Sequence, residues 1–174
     1  MKIIQTPRLK LIALSQDQLQ LYLTNLPRLE DELGLSIIKD EGDAAVIRAI
    51  NIKLSKMAQI NPAQHLWLTY WVMAVPDSLY GAGMAGFKGI PNEKGEVEIG
   101  YGIAPEFRRR GYTTEAVQAL IQWAFQHPQC TAVLADTDPA NIPSQRVLAK
   151  VGMHIYAETD DSLWWRIDKA AATP

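Results

Sequence analysis

The chain has 174 residues, 48% of them hydrophobic and 21% charged, with a net charge of −2. A chain of this size buries roughly 70% of its unfolded surface, enough for one core that needs no metal or disulfide. Its near-neutral balance argues against a cationic nucleic-acid binder and its single cysteine, Cys130, against a disulfide scaffold. The longest apolar-leaning stretch, 66–75, falls short of the ~20 residues of a membrane helix. The opening residues lack the apolar run and cleavage site of a signal peptide, so a cytoplasmic location is expected. Three histidines and one cysteine at unrelated spacings give no zinc pattern, and no metal is expected.

Residues 8–14 alternate, with Leu9, Leu11 and Ala13 on one face, and predict a first strand. Ser15 then caps a predicted helix in which Leu19, Tyr22, Leu23 and Leu26 share a face, and Pro27 ends the pattern. Val46, Ile47, Ile50, Leu54 and Met57 predict an amphipathic helix over 43–60, closed by Asn61 and Pro62. The period changes over 66–75, where Trp, Tyr, Val and Thr predict a strand. Pro76–Ser78 marks a turn, Tyr80–Phe87 reads as a glycine-loosened strand, 88–95 as a hairpin loop and 97–103 as a further strand. Such short connections predict antiparallel pairing.

Val117, Leu120, Ile121, Ala124 and Phe125 form the apolar stripe of a helix over 113–126, with Gln118, Gln122 and Gln126 facing away. A short strand at 132–135 follows, then a helix over 141–151 with Val147, Leu148 and Val151 inward and Gly152 as its C-cap. Strands at His154–Glu158 and 163–167 close the chain, and 169–174 reads as a frayed tail. With no repeat and no long polar linker, 1–168 is expected to be one α/β domain, a mixed sheet with helices on its faces.

The segment from Val97 to Glu115 carries the chemistry. A strand runs through Ile103 and Ala104 into a loop holding Arg108, Arg109, Arg110 and Gly111, and then into Tyr112 and Thr113 at the start of the clearest helix. The first N–H groups of a helix lack intrahelical partners and sit at the positive end of its dipole. Glycine lets a ligand approach them closely, and three arginines add charge, so the segment reads as a diphosphate cradle. It has neither the Gly-Lys-Ser/Thr ending of an NTPase phosphate loop nor the glycine spacing of the dinucleotide fingerprint. The bland alternative is a solvated arginine face.

Arg108-x-x-Gly111-x-Thr113 resembles the Q/R-x-x-G-x-G/A acyl-CoA motif of the GNAT superfamily of N-acyltransferases. Thr6-Pro7-Arg8-Leu9-Lys10-Leu11 resembles the T-x-R-L-x-L opening of its ribosomal-protein N-terminal acetyltransferase branch, the RimJ/RimL type. Glu98-Ile99-Gly100-Tyr101 is similar to that branch's E-I-G-Y strand, and 141–153 to its N-x-x-S-x-x-V-L-x-K-x-G-F segment. The resemblance runs in order from Thr6 to Met153. It implies a mixed, mostly antiparallel sheet, splayed at the acyl-CoA site, with helices on both faces. It also implies transfer of acetyl from acetyl-CoA to a primary amine, with the pantetheine arm pairing at Ile103 and Ala104. The pyrophosphate would lie on Arg109 to Thr113, with Asn141 and Ser144 near the thioester. Departures are Arg109, where glycine is common, Thr113 in place of a smaller residue, and Leu148, where other branches carry a tyrosine that protonates the thiolate. By resemblance Ser144 takes that role here.

Glu98 is the candidate base, because it lies on the strand leading to the cradle, with an ordinary exposed strand carboxylate as the alternative. Glu96 is a weaker candidate. An α-amine, with a pKa near 7.7 to 8.0, is roughly a tenth neutral at pH 7, so it demands little of a base. Asn141 and Ser144 have a capping alternative, Arg146 and Lys150 read as solvated, and His65 and His127 as surface groups. Cys130 reads as a small buried residue, and one ring of Trp164 or Trp165 as the edge of an acceptor cleft. The helices between Ser15 and Ile60 are expected to form that cleft's other wall. The leading acceptor is a protein or peptide N-terminal α-amine. The alternatives are a small-molecule amine, such as an antibiotic or polyamine, and a non-catalytic acyl-CoA-binding module. No nucleic-acid or membrane partner is expected, and a homodimer is compatible with the reading.

Overall fold

A computed structural model describes residues 2–38 and 43–170. Among them nine strands and six helices alternate along the chain: β1 (Ile3–Gln5), β2 (Lys10–Ala13), α1 (Gln16–Thr24), α2 (Leu26–Leu33), β3 (Ser36–Ile37), α3 (Asp43–Met57), α4 (His65–Leu68), β4 (Trp71–Val75), β5 (Tyr80–Phe87), β6 (Glu96–Ile103), α5 (Tyr112–Phe125), β7 (Ala132–Thr137), α6 (Ile142–Lys150), β8 (His154–Glu158) and β9 (Leu163–Asp168). The sheet runs β1-β2-β4-β5-β6-β7-β9-β8, with β3 pairing parallel to β5 off that path. On the main path every neighbouring pair is antiparallel except β6 and β7. This is the mixed α/β sheet the sequence predicts.

Two apolar layers form because alternate strand residues point to opposite faces. One gathers Phe87, Val97 and Ile99 against Val117, Leu120 and Ala124 of α5 and Leu148 of α6. The other packs Ile12, Val72 and Ala74 against Leu19 and Tyr22 of α1, Leu29 of α2, and Ile50 and Met57 of α3.

Several local expectations are corrected. Pro27 does not end helical structure: Asn25 caps a second helix, and proline is tolerated in its first turn because that N–H has no intrahelical partner anyway. The strand expected over 66–75 is one turn of helix followed by a shorter strand, and Trp67 and Leu68 are buried from the helix. α3 stops at Met57, and β1 and β3 went unforeseen. His127 is half-buried against the Trp67 and Trp123 rings rather than at the surface. Gly152 adopts φ +87 just beyond the end of α6, the left-handed geometry its place after the helix requires. Lys169 N–H still donates to Thr131 O, and the rest of the expected tail from 171 on lies outside the described residues.

Candidate functional site

β6 and β7 pair only at Glu96↔Ala132, Val97↔Val133 and Glu98↔Leu134. Beyond Glu98, β6 continues to Ile103 bonded to β5, and β7 continues to Thr137 bonded to β9, so the two facing edges part. A parted edge offers backbone donors and acceptors to an added extended chain. A Cβ built on Gly102 meets nothing within 4 Å, and one on Gly100 meets only Lys88 Cε at 3.8 Å. Side chains at these two positions would fill space that the glycines leave open.

The parted strand leads to the arginine loop. Arg108 is extended, Arg109 has φ +64 and Gly111 φ +80, and Gly111 supplies no side-chain cap to α5. The first amides of α5 therefore face the loop without a capping side chain, and Arg108, Arg109 and Arg110 are all exposed beside them. Tyr112 is half-buried and Thr113 buried.

The loop is tied down from the far end of the chain. Glu115, in the first turn of α5, accepts from Thr6 Oγ1 at 2.7 Å, Arg8 N at 2.8 Å and Arg8 Nε at 2.7 Å. Arg8 also donates to Arg110 O at 2.7 Å and lies over the Tyr112 ring. Burial pushes Glu115 up, but these hydrogen bonds outweigh it and hold its carboxyl below the usual range. The Thr6-x-Arg8 motif was legible in the sequence, but Glu115, more than a hundred residues away, gave no local sign of being its partner.

At the fork, successive β6 side chains divide between the faces. Glu98 shares its face with Lys88 and Asp136: its carboxyl pairs with the Lys88 ammonium and, in its protonated form, donates to the Asp136 carboxylate, while Lys88 Nζ donates to Asp136 at 2.8 Å. Burial and the neighbouring Asp136 raise the Glu98 pKa against the opposing pull of Lys88. Lys88 is pushed down by burial but raised on balance by the two carboxylates. Tyr101, three residues on, points to the other face. Its hydroxyl meets Ser144 Oγ at 2.8 Å and donates to Ser144 O at 3.2 Å, and burial pushes it up to about 12. Asn141 Oδ1 accepts from Ser144 N at 3.2 Å, capping α6. Glu96, the weaker base candidate, is engaged by Arg166 at 2.7 Å and held below its usual range.

On the Glu98 face, α1 and α3 enclose a cavity of about 590 Å³ against β5 and β6. Its floor includes Gly86, Gly100 and Gly102, and Tyr22, Lys53, Lys56 and Tyr70 are among its walls. The helices expected to wall a cleft do line this cavity, but neither Trp164 nor Trp165, expected at its edge, is among the described lining residues. Lys53, 5% exposed, was missed, although its place between Ile50 and Met57 on the apolar stripe of α3 marked it as unusual. Cys130 is buried, as expected. No helix among the described residues is long and apolar enough to cross a membrane.

A family model described as acetyltransferase (GNAT) domain matches residues 8–154. The Bacillus subtilis (strain 168) protein named uncharacterized N-acetyltransferase YjdG is 33% identical over 95 residues, which cover 55% of this chain and 56% of that relative. The chain thus matches little more than half of that relative's length. Among solved structures, the ribosomal-protein-S5-alanine acetyltransferase from Vibrio fischeri superposes with a TM-score of 0.67 at 15% identity, covering 100% of each chain. The microcin C7 self immunity acetyltransferase MccE, in complex with acetyl-CoA and AMP, superposes with a TM-score of 0.62 at 12% identity over 94% of each. At such identities these two speak for the fold alone. The family match spans the parted strands, the arginine loop and both flanking helices, and the chain belongs to the GNAT acetyltransferase family.

Proposed function

We propose that this chain is a single-domain, cytoplasmic N-acetyltransferase of the RimJ/RimL type, moving acetyl from acetyl-CoA to the α-amine of a protein or peptide N-terminus. The observation that carries the reading is the division of β6 at the fork. Glu98 lies beside the cavity, paired with the Lys88 that lines it, while the Tyr101 hydroxyl meets Ser144 on the other face of the strand. An amine entering from the cavity meets a carboxylate, while a hydroxyl stands across the strand where the thiolate departs.

Acetyl-CoA supplies the activated acyl group. Ile103 and Ala104 would hold its arm, and Arg108, Arg109, Arg110, Gly111, Tyr112 and Thr113 its pyrophosphate. Asn141 fixes the first turn of α6 and with it Ser144. Glu98 takes the proton of the attacking amine. The raised pKa of Glu98 makes it a stronger base, suited to an α-amine that is partly neutral near pH 7. Ser144, held by a Tyr101 hydroxyl that stays protonated, donates to the sulfur. The GNAT family and the acetyl-CoA-bound neighbour support the cofactor.

A small-molecule amine is the second reading. The cavity volume, about 590 Å³, lies within the ~300–1,000 Å³ range of small-ligand sites. The deciding experiment incubates the protein and acetyl-CoA with N-terminal peptides and, separately, with polyamines and aminoglycosides, following CoA thiol release and product mass. Peptide α-acetylation lost in Glu98→Gln and Ser144→Ala, with the acetyl-CoA thermal shift retained, is the expected result. Turnover of the small amines alone would move the assignment to the second reading. A thermal shift without turnover of any amine would make this a binding module.

A further inference from the structure

The cavity has a charge pattern that acetyl transfer does not explain. Lys53, Lys56 and Lys88 line one end of it, and none of the described residues lining it is an aspartate or glutamate. Lys88 is answered by Glu98 and Asp136. Among the described residues the buried Lys53 and the exposed Lys56 meet carbonyl acceptors: Lys53 Nζ donates to Phe87 O, and Lys56 Nζ to Lys88 O at 3.2 Å. Lys53 also lies over the Tyr70 ring, 4.5 Å from its centroid. Among the described residues neither lysine has a carboxylate partner. A buried ammonium without an opposing charge is costly, and proteins seldom keep one unless something answers it.

The position of these lysines separates them from the cofactor's phosphates. Phe87, which accepts from Lys53, is the register partner of Ile99, beside Glu98. The arginine loop begins after Ile103, four residues further along β6, about 14 Å at the usual rise per strand residue. The lysines therefore stand at the Glu98 end, where the amine would react, and not at the pyrophosphate end. Burial, with Lys56 and Lys88 nearby, lowers the Lys53 pKa to about 7, and an anion arriving beside it would restore its charge.

We infer that this cavity takes an amine that also carries an anionic group, a carboxylate or phosphate, and that Lys53 and Lys56 hold that group while the amine meets Glu98. The inference rests on the acetyl-transfer reading and narrows its acceptor. The anion has two sources: an acidic or phosphorylated side chain next to a peptide N-terminus, or a small amino acid or amino phosphate.

The test uses the full chain with acetyl-CoA and three acceptor sets. The first is a peptide series with Asp, Glu or phosphoserine at the second position. The second is the same series with Ala or Lys there. The third pairs β-alanine and phosphoethanolamine with β-alaninamide and ethanolamine, which carry no anionic group. Anionic acceptors should exceed neutral ones in kcat/KM by about ten- to a hundredfold, the range for a hydrogen bond to a charged group. The difference should lie mainly in KM. In Lys53→Met/Lys56→Gln that ratio should collapse toward one, and Lys53→Arg should keep part of it. The first set preferred over the third identifies the peptide source, and the reverse the small-molecule source. Equal kcat/KM for anionic and neutral acceptors, or a ratio unchanged in the double variant, overturns the inference. The acetyl-CoA thermal shift is read in the same samples. Its absence from the unmodified protein overturns the acetyl-transfer reading instead, so the two failures are distinct.

Discussion

Arg109 gives a test in which backbone and charge separate cleanly. Its φ of +64 is left-handed, and its side chain is exposed, so little packing is at stake. A non-glycine residue pays roughly 1–2 kcal/mol for that conformation. Arg109→Gly removes the cost but restores unfolded-chain freedom worth about 0.5–1 kcal/mol. The net expectation is a stabilisation of about 0.5–1 kcal/mol, and one kcal/mol moves the midpoint about 2–4 °C in a chain of this size. Arg109→Ala keeps the Cβ and drops the guanidinium, so its midpoint should stay within about 1 °C of the parent. Thermal melts of the two variants without ligand read the backbone term alone. Melts with acetyl-CoA read the charge: at a hundredfold excess over Kd the ligand contributes about 2.7 kcal/mol, and both variants should lose the same part of it. Coincident Gly and Ala midpoints without ligand would refute the backbone argument. A ligand shift unchanged in both would remove Arg109 from the anion site.

Arg8→Ala and Glu115→Ala, combined in a double-mutant cycle on urea stability, should show a coupling of about 1 kcal/mol, modest because Arg8 is half exposed. Strict additivity would mean the clamp contributes nothing. Gly102→Leu should fold with a near-parent midpoint yet lose the acetyl-CoA shift, because its Cβ meets nothing within 4 Å; an intact shift would place the ligand elsewhere. For Lys53, the folded pKa of about 7 lies below the unfolded value of 10.5, so the folded state binds fewer protons between those limits. The penalty is full below pH 7 and fades as pH rises toward 10.5. Lys53→Met should therefore stabilise by up to about 5 kcal/mol at pH 6 and much less at pH 9.5. Urea midpoints raised equally at both pH values would contradict that linkage.

What the sequence revealed depended on how local the determining contacts are. α5 was legible because its stripe repeats over almost four turns, and β9 because Leu163, Trp165 and Ile167 alternate. α4 was not: a single turn has no period to detect, and Trp67 and Leu68 suit a strand as well as a buried turn. Pro27 was misread because a proline signals both the end of one helix and the first turn of the next, and Asn25, which decides between them, caps from two residues upstream. In the site, the arginine loop and Asn141 announced themselves by spacing. Tyr101 with Ser144, Arg8 with Glu115, and Glu98 with Asp136 did not, because each pair is joined only by the sheet order and the crossovers around it.

The glycines of β5 and β6 show how the same residue type answers to two different demands. A Cβ on Gly83 would stand 2.2 Å from Gly102 O, and one on Gly86 2.4 Å from Thr69 O, so both are needed for the strands to approach one another. Gly100 is the register partner of Gly86, yet a Cβ there meets only the end of a lysine, and Gly102 would meet nothing. Packing therefore explains the glycines of β5 and not those of β6. A glycine inside a strand costs stability relative to a residue with a side chain to pack, and here no close approach of protein atoms offsets it. The space belongs to the cavity that Gly100 and Gly102 line together with Arg108. In the proposed acetyl transfer, a long, thin ligand with an anionic end toward the loop and a reactive end toward Glu98 would use both bare positions at once.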